Sequence, residues 1–354
     1  MIKQLVIHIG QHKTGSTSIQ SAFATGKVVS PTTKLFYPGN NSHNKVAKTL
    51  LKAELAQQKA ARFSALAKRF AKSNADIGII SAENFEFVRP MALLKALKQF
   101  FPDHADTARI IAYVRPHAAR LVSGFSERTK NGSFNGSLAD FHEWSLAKGS
   151  FLYHNRFDKW QSIFNGRLAL RPMVRHKLRN GDVVHDFLHT ALGHTDFKVA
   201  NTRVRNQSLY VESLSIVREL QIAMKDAKNN ISDAAGWKFA NFLDDVTPVH
   251  SATKLQLHRA LAQDIMHAYR KDADLMDASF FGEGILAAEL CATPDNMPDT
   301  AQSILLEDNY DAALVPTIRT KIALAAEQIS QRPADTDALL RELIENLGTH
   351  VPIT

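Results

Sequence analysis

Residues 8 to 17 read HIGQHKTGST, with Gly10 and Gly15 bracketing Lys13, and Thr14, Ser16, Thr17 and Ser18 supplying hydroxyls. Glycines let backbone N–H groups turn toward a single point, and a helix N-terminus behind them adds partial positive charge. The chemistry such a stretch suits is the binding of phosphate or a relative of phosphate. A second cluster, VRPHAARLVSGF (114–125), offers Arg115, Arg120 and the Ser123 hydroxyl, with Arg120 three residues before Ser123 on one helical face. Among the residues able to take a proton, His43 and Glu83 are candidates. His43, in YPGNNSHNKVAK, offers an imidazole that is neutral near pH 7, and Glu83, in IISAENF, ends a buried-type strand where α/β sheets place their ligands.

These residues must be positioned by the elements around them. Residues 2–9 alternate apolar with polar and are rich in Ile and Val, the pattern of a strand, whereas 16–24 put Ile19, Ala22 and Phe23 on one helical face. The lysine loop therefore joins a strand to a helix. Further strands are expected at 35–37, 76–83, 108–116 and 167–173. Helical spacing is expected across 43–72, 91–100, 116–129 and 181–193, with Pro116 suited to a first helical turn. This alternation implies a parallel α/β sheet with crossover helices. Beyond residue 209 helical patterns dominate, as at 212–224 and 255–270; 292–300 reads as a linker and 301–348 as a last helical region. The chain thus divides into an α/β core over 1–210, a helical part over 211–292 packed on it, and a C-terminal helical appendage over 301–354.

The loop departs from the nucleoside triphosphatase pattern G-x-x-x-x-G-K-[ST]: the glycine spacing is kept, but Ser16 stands where the lysine belongs and Lys13 has moved inside. GQHKTGSTSIQ instead resembles the 5′-phosphosulfate loop of sulfotransferases that use 3′-phosphoadenosine 5′-phosphosulfate (PAPS), in which a Lys-x-Gly-[ST]-[ST] core follows the first strand. The resemblance implies a P-loop-type parallel sheet flanked by helices, with a largely helical C-terminal part. It implies that Lys13 binds the bridging and sulfuryl oxygens, while Thr14, Gly15, Ser16, Thr17 and Ser18 hold the 5′-phosphate. The family reads the 3′-phosphate with an Arg and a Ser eight residues apart, which would be Arg115 and Ser123; where the family has Asn-Pro after that Arg, this chain has Pro-His. In the family the base is a His or a Glu near the sulfuryl group. That role falls here to His43, with Glu83 as its orienting partner, or to Glu83 itself. RVRNQSLYVESLSIVREL (203–220) is similar to a later core segment of bacterial members, so Arg203, Arg205 and Asn206 become candidate cleft residues.

The implied activity is transfer of a sulfuryl group from PAPS to a hydroxyl, on a carbohydrate or glycolipid acceptor, leaving 3′-phosphoadenosine 5′-phosphate (PAP) and requiring no metal. A P-loop kinase of a small metabolite is the rival enzyme reading, and a nucleotide-binding module without turnover is the rival outside enzymes. Composition agrees with an anionic ligand: the 354 residues carry a formal net charge of +8. Nucleic acid ranks last as a partner, because the lysines are dispersed and no aromatic-interleaved basic motif occurs. No apolar stretch approaches a membrane span, and the single cysteine, Cys291, fits a reducing compartment and reads as a buried apolar residue. A cytoplasmic location is expected. HDFLH (185–189) resembles a zinc-protease helix, but an Asp replaces the required Glu and no third ligand stands at the expected spacing, so no metal site is assigned.

Overall fold

A computed structural model of the protein describes residues 2–39, 41–200, 210–227, 232–246 and 253–348. In chain order the first part runs β1 (Gln4–Gly10), α1 (Ser16–Ala24), β2 (Val28–Val29), β3 (Leu35–Phe36), α2 (Asn44–Lys48), α3 (Lys59–Ala71), β4 (Ile77–Ala82), α4 (Pro90–Phe100), α5 (Pro102–Ala105) and β5 (Arg109–Val114). There follow α6 (His117–Lys130), α7 (Leu138–Ala147), α8 (His154–Ile163), β6 (Leu168–Pro172), α9 (Val183–Leu192) and β7 (Lys198–Val199). The remainder is helical: α10 (Val211–Asp226), α11 (Ser232–Val246), α12 (Arg259–Met276), α13 (Ile285–Cys291), α14 (Leu306–Asn309), α15 (Val315–Gln331) and α16 (Thr336–Leu347). The chain forms two compact units, one of Met1–His117, Leu152–Arg205 and Arg270–Leu290, the other of Ala118–Phe151, Asn206–Tyr269 and Cys291–Thr354.

The first unit is built on a five-stranded sheet of order β3-β4-β1-β5-β6, parallel throughout. β1 lies at its centre, pairing Ile7 with Ile80 of β4 on one side and with Ile110 of β5 on the other. Both faces of such a strand are covered, which is why β4 is buried at all six positions. On one face Val6, Ile79, Ile111 and Tyr113 pack against Ile19 and Ala22 of α1 and Val184, Phe187 and Leu188 of α9. This layer also contains His8, wholly buried in edge-on contact with Phe187 and Tyr113, with Nδ1 2.8 Å from the Ser81 hydroxyl. Burial beside aromatic rings disfavours the imidazolium and lowers its pKa to about 3.

In the second unit α10 packs against α11, α14 and α15, and α16 against α11 and α15. α7 opens with a capping box: the Ser137 hydroxyl accepts from Asp140 N (3.1 Å) while the Asp140 carboxylate accepts from Ser137 N (2.8 Å). The same unit holds an aromatic cluster of the buried Phe125, Phe141 and Phe151 and the half-buried Phe134, with the Arg120 guanidinium over the Phe151 ring at 5.4 Å.

Several expectations are corrected. The single helical stretch over 43–72 is broken. The Thr49 hydroxyl donates to the Val46 carbonyl at 2.7 Å, Lys52 adopts extended backbone, and a short 3-10 turn (Ala53–Gln58) leads into α3. The region 301–348 is likewise divided. Pro333 pushes Arg332 out of helical geometry, to φ −129°, and separates α15 from α16. Cys291 closes α13 and is half-buried rather than buried. The helix expected over 255–270 begins at Arg259 and continues to Met276.

Candidate active site

The carboxyl ends of β1, β4 and β5 lie side by side, and each hands the chain to one of the residues picked out above: β1 to the loop from Gln11 to Gly15, β4 to Glu83, β5 to Arg115. Neighbours diverge from the central strand at this edge, the place where open α/β sheets bind ligands.

Gly15 closes the loop at φ 79°, a left-handed conformation, and a Cβ there would fall 2.7 Å from Cγ1 of Val183. At Gly10 a Cβ would lie 2.1 Å from Ser16 Oγ and 3.4 Å from Cα of Glu83, so the loop folds back onto the end of β4. Lys13 itself has φ 67°, in the left-handed region that a side chain disfavours. The Thr14 hydroxyl donates to the Gln11 carbonyl at 2.7 Å, which tightens the turn. Arg115 Nη1 donates to the Lys13 carbonyl at 3.2 Å and so brings a second cation to the loop.

The loop also holds polar atoms that none of the described residues satisfies. Gln11 and Ser16 are each 2 % exposed, and Gln11 Nε2, Gln11 Oε1 and Ser16 Oγ make no hydrogen bond among the described residues. A buried polar group without a partner is costly, and at functional sites such groups mark where a ligand binds. Thr17 is exposed and Ser18 half-buried in the first turn of α1, whose leading N–H groups have no partner within the helix.

The two candidate bases have different surroundings. His43 is buried, Ser81 N donates to its Nδ1 (3.1 Å), and Nε2 lies 3.2 Å from the Pro38 carbonyl. One neutral tautomer satisfies both contacts, and burial lowers the pKa, with Arg69 acting in the same direction. With both ring nitrogens spent on backbone, this imidazole pins the chain after β3 to β4 and is badly placed to accept a substrate proton. Glu83, half-buried, opens the 3-10 turn Glu83–Phe87 directly after β4, with its backbone beside Gly10.

Arg115 belongs to the first unit and Ser123, half-buried on α6, to the second. Arg203, Arg205 and Asn206 lie outside the described residues. In HDFLH the second residue, Asp186, is buried and accepts from Arg171 Nε and Nη2 (3.0 and 2.8 Å), Arg179 N (3.0 Å) and the Tyr113 hydroxyl (2.8 Å). Burial opposes its charge, but these donors outweigh it and hold the carboxyl below the usual carboxylate range. His185 Nδ1 meets the capping carboxylate of Asp182 at 2.9 Å, and His189 Nδ1 lies 3.3 Å from the His194 carbonyl. Among the described residues no group of three or more His, Cys, Asp or Glu side chains is arranged to hold a metal ion.

Three residues escaped the sequence reading. Glu86 sits in the 3-10 turn with its side chain 5 % exposed; its Oε2 accepts from His12 N and lies 3.0 Å from His12 Nδ1, while Oε1 accepts from Arg156 Nη1 at 2.9 Å. Asp272, on α12, accepts from Tyr153 N (2.8 Å) and His154 N (3.0 Å) and lies 2.9 Å from Nε2 of the buried His117, two residues after Arg115. The Tyr153 hydroxyl in turn donates to the Arg115 carbonyl at 3.1 Å. The signal for Glu86 was a second acidic residue one helical turn after Glu83; Asp272, more than 150 residues from His117, left none.

The fold is that of an α/β protein with a glycine-bounded loop, Gln11 to Gly15, at the carboxyl edge of a parallel sheet. No family model and no curated protein matches the chain. Among solved structures it is similar to the crystal structure of a sulfotransferase from Alicyclobacillus acidocaldarius, with 17% identity and a TM-score of 0.39 over 63% of this chain and 94% of that one. No helix among the described residues is long and apolar enough to cross a membrane.

Proposed function

We propose that this protein is a sulfotransferase that moves a sulfuryl group from PAPS to a hydroxyl of a carbohydrate or glycolipid acceptor. The observation that carries the reading is the loop: three buried polar atoms on Gln11 and Ser16 that have no partner among the described residues, beside Lys13 and a guanidinium, at the end of the central strand. The donors among them, with the two cations, suit a phosphosulfate, in which the phosphate and the sulfuryl group each carry one negative charge. PAPS would supply a sulfuryl group already activated by its bond to phosphate. The chain's own work is then positioning and charge stabilisation. Thr14, Gly15, Ser16, Thr17 and Ser18 hold the 5′-phosphate, Lys13 meets the charge growing on the bridging oxygen, and Arg115 with Ser123 receives the 3′-phosphate. With His43 committed to backbone, Glu83 takes the acceptor proton.

The donor tests the reading without knowledge of the acceptor. Two anion sites, one for each phosphate, require that PAP raise the melting temperature more than AMP does. Equal shifts would remove the basis for placing a 3′-phosphate on Arg115 and Ser123. A larger shift with ATP and magnesium than with PAP would favour the kinase reading.

A further inference from the structure

A buried carboxylate beside an anion-binding loop is a physical puzzle, since Glu86 should repel the ligand the loop is built to hold. Its contacts resolve the puzzle. Both carboxylate oxygens face donors: Oε2 the backbone N–H and ring Nδ1 of His12, Oε1 the Arg156 guanidinium. The His12 ring is further held against Phe87, with centroids 5.3 Å apart. Next along the chain is Lys13, whose φ of 67° is one that an L-residue abandons when unrestrained. The backbone is gripped on both sides of that residue, by Glu86 at the His12 N–H and by Arg115 at the Lys13 carbonyl.

We propose that Glu86 is a positioning residue of the donor loop: neutralised by Arg156, it holds His12 at two points and thereby keeps Lys13 in its left-handed conformation before any donor arrives. Pre-forming the loop removes an ordering cost from binding. An amide at position 86 cannot reproduce the arrangement, because a Gln has one acceptor oxygen, and its NH2 group would confront either the His12 donors or the Arg156 guanidinium.

The experiment is a mutant cycle read by PAP affinity, and in that arm it rests on the sulfotransferase reading. A simple Coulomb view expects E86Q to bind PAP more tightly, since a negative charge is gone. Positioning requires the opposite: E86Q should weaken PAP by about tenfold, the scale of one left-handed L-residue. The loss should recur in a K13A background, because Ala disfavours the left-handed region as Lys does. It should nearly vanish in K13G, where glycine adopts that conformation unaided. Equal losses in K13A and K13G, or unchanged or tighter binding by E86Q, would overturn the proposal. If E86Q does not fold, H12A serves in the same cycle: it keeps the backbone bond, loses the ring contact, and should show a smaller loss with the same dependence on Gly at position 13. Hydrogen exchange on the ligand-free protein separates this proposal from the donor assignment. The peptide covering residues 10–18 should exchange faster in E86Q (or in H12A, if that variant stands in) than in wild type, while the sheet strands stay as protected. An unchanged loop peptide would reject the positioning role even if PAP binds, and a faster one would support it even if PAP does not.

Discussion

His43 and Glu83 differ less in their chemistry than in what surrounds them. Both can accept a proton near neutral pH given the right environment, but an imidazole whose nitrogens face Ser81 N and the Pro38 carbonyl must break a backbone contact to do so. Replacing His43 by Ala should therefore lower stability and leave turnover of PAPS to PAP largely intact in the folded fraction. Glu83→Gln should fold and bind PAP yet lose most turnover. A dead His43→Ala enzyme at full PAP affinity, beside an active Glu83→Gln enzyme, would reverse the assignment. His8 bears on stability. Its folded pKa of about 3 lies below the unfolded value of 6.5, so between those limits the unfolded chain binds a proton that the native chain refuses. Stability is complete above the unfolded pKa and falls as the solution is acidified toward pH 3. The His8 share amounts to about 2 kcal/mol between pH 7 and pH 5, and His43, with its pKa also lowered, adds a loss of the same sign. Urea unfolding at the two pH values should give a smaller difference for His8→Gln than for wild type; an identical difference would mean that His8 is solvated in the native state.

At the scale of elements the junction between β1 and α1 carries the design, and much of it was legible. The apolar run Leu5-Val6-Ile7 with Ile9, mostly β-branched, wrote β1, the Ile19/Ala22/Phe23 stripe wrote α1, and the glycines between them could only be a tight turn. What stayed hidden was the reason for each glycine, since neither Val183 on α9 nor Glu83 after β4 is near the loop in sequence. Gly15→Ala tests that tertiary reason. A methyl group would meet Val183 in a conformation already unfavourable for Ala, so this change should lower stability by about 1–3 kcal/mol. It should also weaken PAP by tilting α1 away from the phosphate. Urea unfolding and PAP titration measure the two effects, and a variant as stable as wild type would show that α9 yields at no cost. The two-residue ribbon of β2 with β7 was illegible for a related reason: its strands are too short for periodicity and lie about 170 residues apart. α7 and α8 were passed over because aromatic and polar residues interrupt their apolar stripes, and the packing of Phe141, Phe157 and Trp160 decides them.

For the whole molecule, each of the two compact units is assembled from three separate chain segments, a property of long-range contacts that no local pattern announces. The formal charge of +8 agrees with an anionic partner without choosing among anionic ligands, nucleic acid and acidic surfaces. The strand ends narrow the choice. A nucleoside triphosphatase places a lysine after its second glycine and an aspartate at a strand end to help hold magnesium; this chain has Ser16 at the first position, and β5 ends toward Arg115. A guanidinium beside the loop repels a divalent cation and serves directly as counter-charge, and a sulfuryl group brings less negative charge than a γ-phosphoryl group. Turnover of PAPS should therefore persist in EDTA at the rate seen without it. Magnesium added afterwards should raise it by less than about twofold, the range left for ionic screening of surface charge. Activity abolished by chelation and restored by magnesium would assign the charge stabilisation to a metal ion, and would move the chain from sulfuryl transfer to phosphoryl transfer from a nucleoside triphosphate.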